Sequence, residues 1–378
     1  MKLRSQALGT VLLLLLGLSI SCVPVFPQEM SQPMRDSFRM VVIGDTGIGD
    51  NAFHEGFLAV QKAMVKEKPN LLLHVGDYIY NKVTSCREDD IKEVEEKLVI
   101  PFNGAVVFAR GDNDFKDEFR AKCWSRIVEK GKRIIRPPGA GDAEGFINDL
   151  KDVFIAVLDW NALSGQRDLG WLFGGVEEAK KAGKWIIVAV HEPVVTTGWY
   201  NKACCESLRP LHDMGVDLVF SGHQHAFERT HQVRISQKTG LLERVDLDGT
   251  LEKDVYKRGA GIVYVVTGGG GATLRPFADQ EKSDEAFPHR APAHIMEAVA
   301  KRGLMNHFVL VELKNEVQDG KSVKHALVIT KLVCAEGDPR WKPMDRLVWG
   351  DERAALACER QPAGKPEYDS VEIIQREK

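Results

Sequence analysis

Five apolar runs in this chain each end in a short turn carrying Asp, Asn, Tyr or His. They are MVVIGDTG (40–47), LLLHVGDYIY (71–80), AVVFARGDND (105–114), WIIVAVHEP (185–193) and DLVFSGHQH (217–225). Each has the length and the Val, Ile and Leu content of a strand buried on both faces. The ends of parallel strands gather along one edge of a sheet, so side chains distant in sequence can meet there. Carboxylates, a phenol and imidazoles collected on one edge make a donor set for one or two metal ions.

Between the runs the pattern alternates. Helical stretches are expected near 57–66, 88–99, 116–128, 168–182 and 205–214, with a further strand at 152–160. This alternation predicts an α/β domain with a largely parallel first sheet. Runs at 261–269, 307–313 and 325–332 read as strands of a second, more antiparallel sheet. Segment 130–150 reads as a surface loop, 231–258 as a protruding hairpin, and 276–303 as a charged insertion with a helix at 294–302. With 378 residues, 44% of them hydrophobic, the chain can bury a large core. The simplest organisation is one domain over 38–333, with a polar tail at 334–378 that packs on the domain or frays from it.

The N-terminus reads as an export signal. Lys2 and Arg4 precede an apolar run from Ala7 to Ile20, and the small residues Ser19 and Ser21 lie just before Cys22. Residues 1–21 are expected to be the signal and 22–37 a linker. Cys22 also resembles the acylated cysteine of a bacterial lipoprotein, which would attach the chain to a membrane; secretion or periplasmic residence without a lipid is the alternative. Setting Cys22 aside, six of the seven cysteines remain, enough for 15 disulfide connectivities. Cys334 with Cys358 could staple the tail. The net charge of −3 gives no argument for nucleic acid.

In their order and approximate spacing, GDTG, GDYIY, GDND, VAVH and GHQH resemble the motifs of the calcineurin-like metallophosphoesterases. The Tyr of GDYIY and the sequence GHQHAFERT are similar to the purple acid phosphatase (tartrate-resistant acid phosphatase-like) branch. The resemblance spans roughly 40–313. It implies a four-layer αββα sandwich, with two packed mixed sheets flanked by helices. It also implies two metal ions. Asp45, Asp77, Tyr80 and His225 would hold the first, for which a phenolate makes Fe(III) suitable. Asp77, Asp112, His191 and His223 would hold the second, which could be Fe(II), Zn or Mn, with Asp77 shared. The implied reaction is hydrolysis of a small-molecule phosphate ester by a metal-bound hydroxide, as in an exported acid phosphatase. The alternatives are a phosphodiesterase acting on nucleotides or phospholipid head groups, and a metal-containing binding protein without catalysis.

The third motif departs from the family pattern, reading G-D-N-D where the family has G-N-H-D or G-N-H-E. In direct register Asp112 takes the Asn ligand position and Asn113 the His position; a shifted loop would make Asn113 the ligand instead. The carboxylate adds negative charge beside the second ion. An amide at 113 donates a hydrogen bond but transfers no proton. Asn113 and Asp114 are therefore the candidate catalytic residues, with Asp114 or Glu192 as the candidate acid. The glycines at 268–271 lack a following Lys-Ser/Thr and predict a close turn beside the site rather than a P-loop. The remaining histidines, His74 and His307 among them, read as surface or satisfied core residues.

Overall fold

The computed structural model describes residues 37–47, 54–78, 80, 88–116, 118–163, 168–198, 205–247, 249, 253–275, 277, 291–333 and 367–376. The expected signal and Cys22 lie outside these residues. So do the Cys334–Cys358 pairing and Cys86 and Cys204. Cys123 is in a disulfide.

The strands are β1 (Phe38–Ile43), β2 (Leu71–His74), β3 (Val106–Phe108), β4 (Gly145–Ile147), β5 (Val153–Leu158), β6 (Trp185–Val190), β7 (Leu218–Ser221), β8 (Phe227–Thr230), β9 (Val233–Ile235), β10 (Leu242–Arg244), β11 (Val255–Lys257), β12 (Val263–Thr267), β13 (Val299–Gly303), β14 (His307–Gln318), β15 (Lys321–Leu332) and β16 (Glu367–Arg376). They form two seven-stranded sheets. The first has the order β11-β16-β15-β14-β1-β2-β3, the second β13-β8-β12-β7-β6-β5-β4, and β9 and β10 make a separate hairpin.

Burial on both faces explains why these runs are continuously apolar instead of alternating. On β1, Met40 and Val42 face the second sheet and pack with Ile187, Val263 and Val265. Val41 and Ile43 point the other way, onto Phe57, Val60 and Met64 of the helix His54–Lys66. In the second sheet, Phe154, Ile186 and Val188 meet Leu172, Val176 and Ala179 of the helix Gly170–Lys181. The result is helix, sheet, sheet, helix. Each fully buried aliphatic side chain contributes roughly 1.5–3 kcal/mol, so the shared inter-sheet core fixes the two sheets against each other.

The expected division into a parallel and an antiparallel sheet is not how the strands sort. β1, β2 and β3 run parallel in the first sheet, and β5, β6, β7 and β12 run parallel in the second. The run at 261–269 therefore joins β7 rather than β14. Apolar length shows that a strand exists, but long-range packing selects its neighbour. β14 and β15 form one long hairpin closed by Asp319 and Gly320, both with positive φ (52° and 76°), the geometry of a two-residue D-G turn.

The boundary expected at 333 also fails. β16 lies inside the first sheet, antiparallel to β15 and parallel to β11. Asp369, Val371 and Ile373 are its buried members. The buried Arg229 of β8 reaches Asp369 at 2.5 and 3.0 Å and Asp254 at 3.0 Å, tying this strand to the opposite sheet. The charged residues interleaved in the strand hide its apolar face from a composition reading. The helix expected at 294–302 ends at Ala298, where β13 takes over.

Candidate metal centre

The carboxyl ends of β1, β2, β3, β6 and β7 open on the same edge of the sandwich. Backbone hydrogen bonds stitch the sheets together there: Gly44 N–H donates to Thr267 O (2.9 Å) and Gly270 N–H to Gly44 O (3.1 Å), while Gly222 N–H donates to His191 O (2.9 Å) between the ends of β7 and β6 within the second sheet. The expected close turn at 268–271 is present. A Cβ on Gly268 would lie 2.1 Å from Gln224 O and 2.8 Å from Asp45 Oδ2, so only glycine lets the chain pass this near the site.

Asp45, Asp77 and His223 each adopt left-handed backbone, with φ of 55°, 58° and 65°. Asp tolerates this region and His visits it less readily, at a cost of order 1–3 kcal/mol for each strained residue. These residues are buried. The surrounding fold thus holds three sharp turns that aim three side chains at one point.

Four donors form a tight group: the side chains of Asp77, Asp112, His191 and His223 each offer one atom within 4.8 Å of the others. Asp112 Oδ1 is 3.0 Å from His223 Nδ1 and 3.4 Å from His191 Nε2, and Asp77 Oδ1 is 3.4 Å from His191 Nε2. Among the described residues Asp112 Oδ1 accepts no hydrogen bond although it is buried. A desolvated carboxylate oxygen in this state is suited to a cation. His191 Nδ1 donates to Val75 O at 2.9 Å, which leaves Nε2 facing the carboxylates. This is the set expected for the second ion, with Asp112 among its donors.

A second convergence lies beside it. Tyr80 donates its hydroxyl to Asp45 Oδ1 at 2.9 Å and sits 2.9 Å from His225 Nε2, which is 3.3 Å from Asp45 Oδ1. His225 Nδ1 donates to Thr273 O at 2.6 Å, so its other nitrogen is again turned to the carboxylate. These are three of the four residues expected at the first ion. Burial raises the Tyr80 phenol well above its ordinary range, and the charges of Asp45 and then Asp77 raise it further. Asp77 is thus felt at both groups. Holding Tyr80 as a phenolate requires a strong local cation.

The electrostatics fit the same reading. Burial alone would lower His191, but the carboxylates of Asp77, Asp112 and Asp45 outweigh it and hold the imidazole well above its usual pKa. The same contacts overcome burial to hold Asp77 and Asp112 low. A proton on His191 stands where a cation would, and metal binding would expel it.

The two candidate catalytic residues both hydrogen-bond to Asp77. Asp114, the candidate acid, accepts backbone N–H groups from Asp77 (2.9 Å), Gly111 (2.8 Å) and Tyr78 (3.2 Å). It is buried and braces the two turns against each other. Asn113 turns its amide onto Asp77. Its backbone N–H donates to Asp77 Oδ1 at 2.9 Å and its Nδ2 to Asp77 Oδ2 at 2.5 Å, while Lys116 Nζ donates to its Oδ1 at 3.1 Å. Asn113 orients Asp77.

Sequence reasoning missed two supports. Arg110 pairs with Asp159 at the end of β5 and lies 4.0 Å over the Phe115 ring, which fixes the approach to GDND. The buried Glu228 accepts the Thr197 backbone N–H at 3.0 and 3.1 Å, anchoring the loop that follows His191. Only the tertiary pairing reveals either one.

The chain belongs to the calcineurin-like phosphoesterase family, whose model matches residues 38–227. Within that family it is similar to the purple acid phosphatases. Purple acid phosphatase 19 of Arabidopsis thaliana is 29% identical over 139 residues, covering 34% of each chain. An uncharacterized protein of Mycobacterium tuberculosis is 30% identical over 117 residues, 29% of this chain and 22% of its own length. The chain thus spans only a fifth to a third of the length of these relatives. The structure of purple acid phosphatase PPD1 from yellow lupin (Lupinus luteus) has the same fold, with a TM-score of 0.55 and 16% identity, covering 89% of this chain and 54% of that one.

Proposed function

We propose that this protein is an exported hydrolase that uses two metal ions to cleave small phosphate monoesters, in the manner of a purple acid phosphatase. The observation that carries the reading is the pair of adjoining donor groups, Asp45–Tyr80–His225 and Asp77–Asp112–His191–His223, with Asp77 felt at both. When bound, a pair of cations in such sites supplies charge for the phosphoryl oxygens and lowers the pKa of a water. The chain's own residues do the rest. The carbonyls of Val75 and Thr273 fix the tautomers of His191 and His225. Asn113 and Asp114 orient Asp77, one through its carboxylate and the other through its backbone.

Asn113 has no proton to give at ordinary pH, and Asp114 is buried and accepts three backbone N–H groups. Esters with good leaving groups, such as aryl phosphates, are therefore the expected substrates. The same observation favours a second reading, hydrolysis of activated phosphodiesters. Fe(III) at the Tyr80 group and Fe(II), Zn or Mn at the other are the proposed metals. The Lys2–Cys22 pattern and the disulfide at Cys123 support export, with attachment through a lipidated Cys22 as one form of it.

The test is elemental analysis of the mature protein, together with rates on aryl mono- and diesters. About two ions per chain and a monoester rate well above the diester rate are expected. Full metal occupancy with no turnover of either ester would refute the reading.

A further inference from the structure

One turn of 3₁₀ helix, Asn113–Phe115, follows Asp112 and brings residue 116 back over residues 112 and 113. Lys116 Nζ lies 3.6 Å from Asp112 Oδ2 and donates to Asn113 Oδ1 at 3.1 Å. The two oxygens of Asp112 are thereby divided. Oδ1 is buried and faces His223 Nδ1 at 3.0 Å and His191 Nε2 at 3.4 Å, whereas Oδ2 is turned to the ammonium. Asn113 carries the contact one step further, since its Nδ2 donates to Asp77 Oδ2. Lys116 thus stands at the outer end of a short chain of contacts that reaches both carboxylates of this donor group. Among the described residues no other lysine or arginine pairs with Asp77 or Asp112.

Charge makes this contact consequential. Where the family pattern has a neutral amide, this chain has the Asp112 carboxylate. The group Asp77, Asp112, His191 and His223 then carries a second negative charge. An exposed pair four residues apart contributes little to folding stability, so the effect of the cation is to be sought at the centre. A positive charge on the outer oxygen of Asp112 offsets the charge that the carboxylate adds. It also holds Oδ2 away from the place that Oδ1 faces.

We propose that Lys116 is a positioning residue that sets the affinity of the second metal site. Its ammonium keeps Asp112 a one-oxygen ligand, and the Asp112–Lys116 pair together offers the net charge of the amide it replaces. Without the ammonium the carboxylate is free to turn, presents both oxygens and its full charge, and binds a divalent ion more tightly. The inference rests on the two-metal part of the proposed function and not on the ester that is cleaved.

The experiment titrates Zn(II) or Mn(II) into the metal-stripped full chain and follows binding by calorimetry. Asp112→Asn identifies the second site as the step that weakens, by about tenfold or more. Lys116→Met is expected to tighten that same step by about three- to tenfold. Lys116→Arg keeps the charge and should stay within about twofold of the parent. In the Asp112→Asn background, Lys116→Met should change the affinity by less than about twofold, because the group it acts through is gone. Co(II) bound at this step reports the ligand count: its visible absorption should weaken in Lys116→Met as the second oxygen joins. Affinity unchanged or lowered in Lys116→Met, an equal gain in the Asp112→Asn background, or an unchanged Co(II) spectrum overturns the inference. If the parent binds two ions but hydrolyses neither ester, the phosphoesterase reading falls and the titrations still decide the role of Lys116. If the esters are cleaved and the titrations show no coupling between Lys116 and Asp112, the role of Lys116 alone falls.

Discussion

Replacing Asp77 with Asn probes the proposed sharing of one carboxylate by two ions. Asn keeps the shape and tolerates the left-handed backbone at φ 58°, so the turn itself is not strained. What changes is charge. In the parent, Asp77 accepts Asn113 N–H on Oδ1 at 2.9 Å and Asn113 Nδ2 on Oδ2 at 2.5 Å. An amide offers one oxygen, so one of these charge-assisted bonds is lost, costing about 1.5–3 kcal/mol without metal. With metal, both ions lose an anionic donor. A supporting residue alone changes affinity 10- to 100-fold, so a shared ligand should exceed about 100-fold. At a metal concentration of about 1,000 times the parent Kd, binding stabilises the parent by about 4.1 kcal/mol. At the same concentration a variant bound 100-fold more weakly gains about 1.4 kcal/mol. The difference of about 2.7 kcal/mol corresponds to about 4 °C in Tm for a domain of this size. The assay is chelation, reloading with Zn or Mn, elemental analysis, and calorimetric melts with and without metal. A variant that retains two ions per chain and the parent's metal-dependent rise in Tm would refute the shared-ligand argument.

Further outcomes follow from the same geometry. Tyr80→Phe should abolish any visible tyrosinate-to-iron band in iron-loaded protein while retaining metal; a persistent band removes Tyr80 from the first site. Arg229→Met should cost about 3–5 kcal/mol, because it strands the buried Asp369. An unchanged urea midpoint would mean that β16 does not depend on this pair. His307 is buried and its Nε2 finds no partner among the described residues, and burial lowers its pKa to about 4 from 6.5. The unfolded chain takes up this proton first, so stability is lost as pH falls from about 6.5 toward 4, by about 3 kcal/mol at the lower end. His307→Gln should flatten that part of the urea-midpoint profile, and equal slopes in the two proteins would refute the assignment.

Much of the centre is legible along the chain because its donors lie immediately after continuous apolar runs. Such runs form strands buried on both faces, and the residues just past parallel strands are delivered to one edge. Hence Asp45, Asp77, Asp112, His191 and His223 could be singled out from local pattern, and Tyr80 and His225 from their neighbours. Partner choice was not legible. β12 joins the second sheet and β16 lies inside the first because of contacts across long sequence separations, and neither apolar length nor composition encodes such contacts. The GDND loop shows the same limit at the scale of single side chains. Its letters name the chemistry available, but only the fold shows that Asn113 bonds to the Asp77 carboxylate and that Asp114 accepts three backbone amides, the Asp77 amide among them. Local sequence sets which groups can reach the edge; their direction and protonation depend on donors and charges that folding brings from elsewhere, through forces acting over a few ångströms in space.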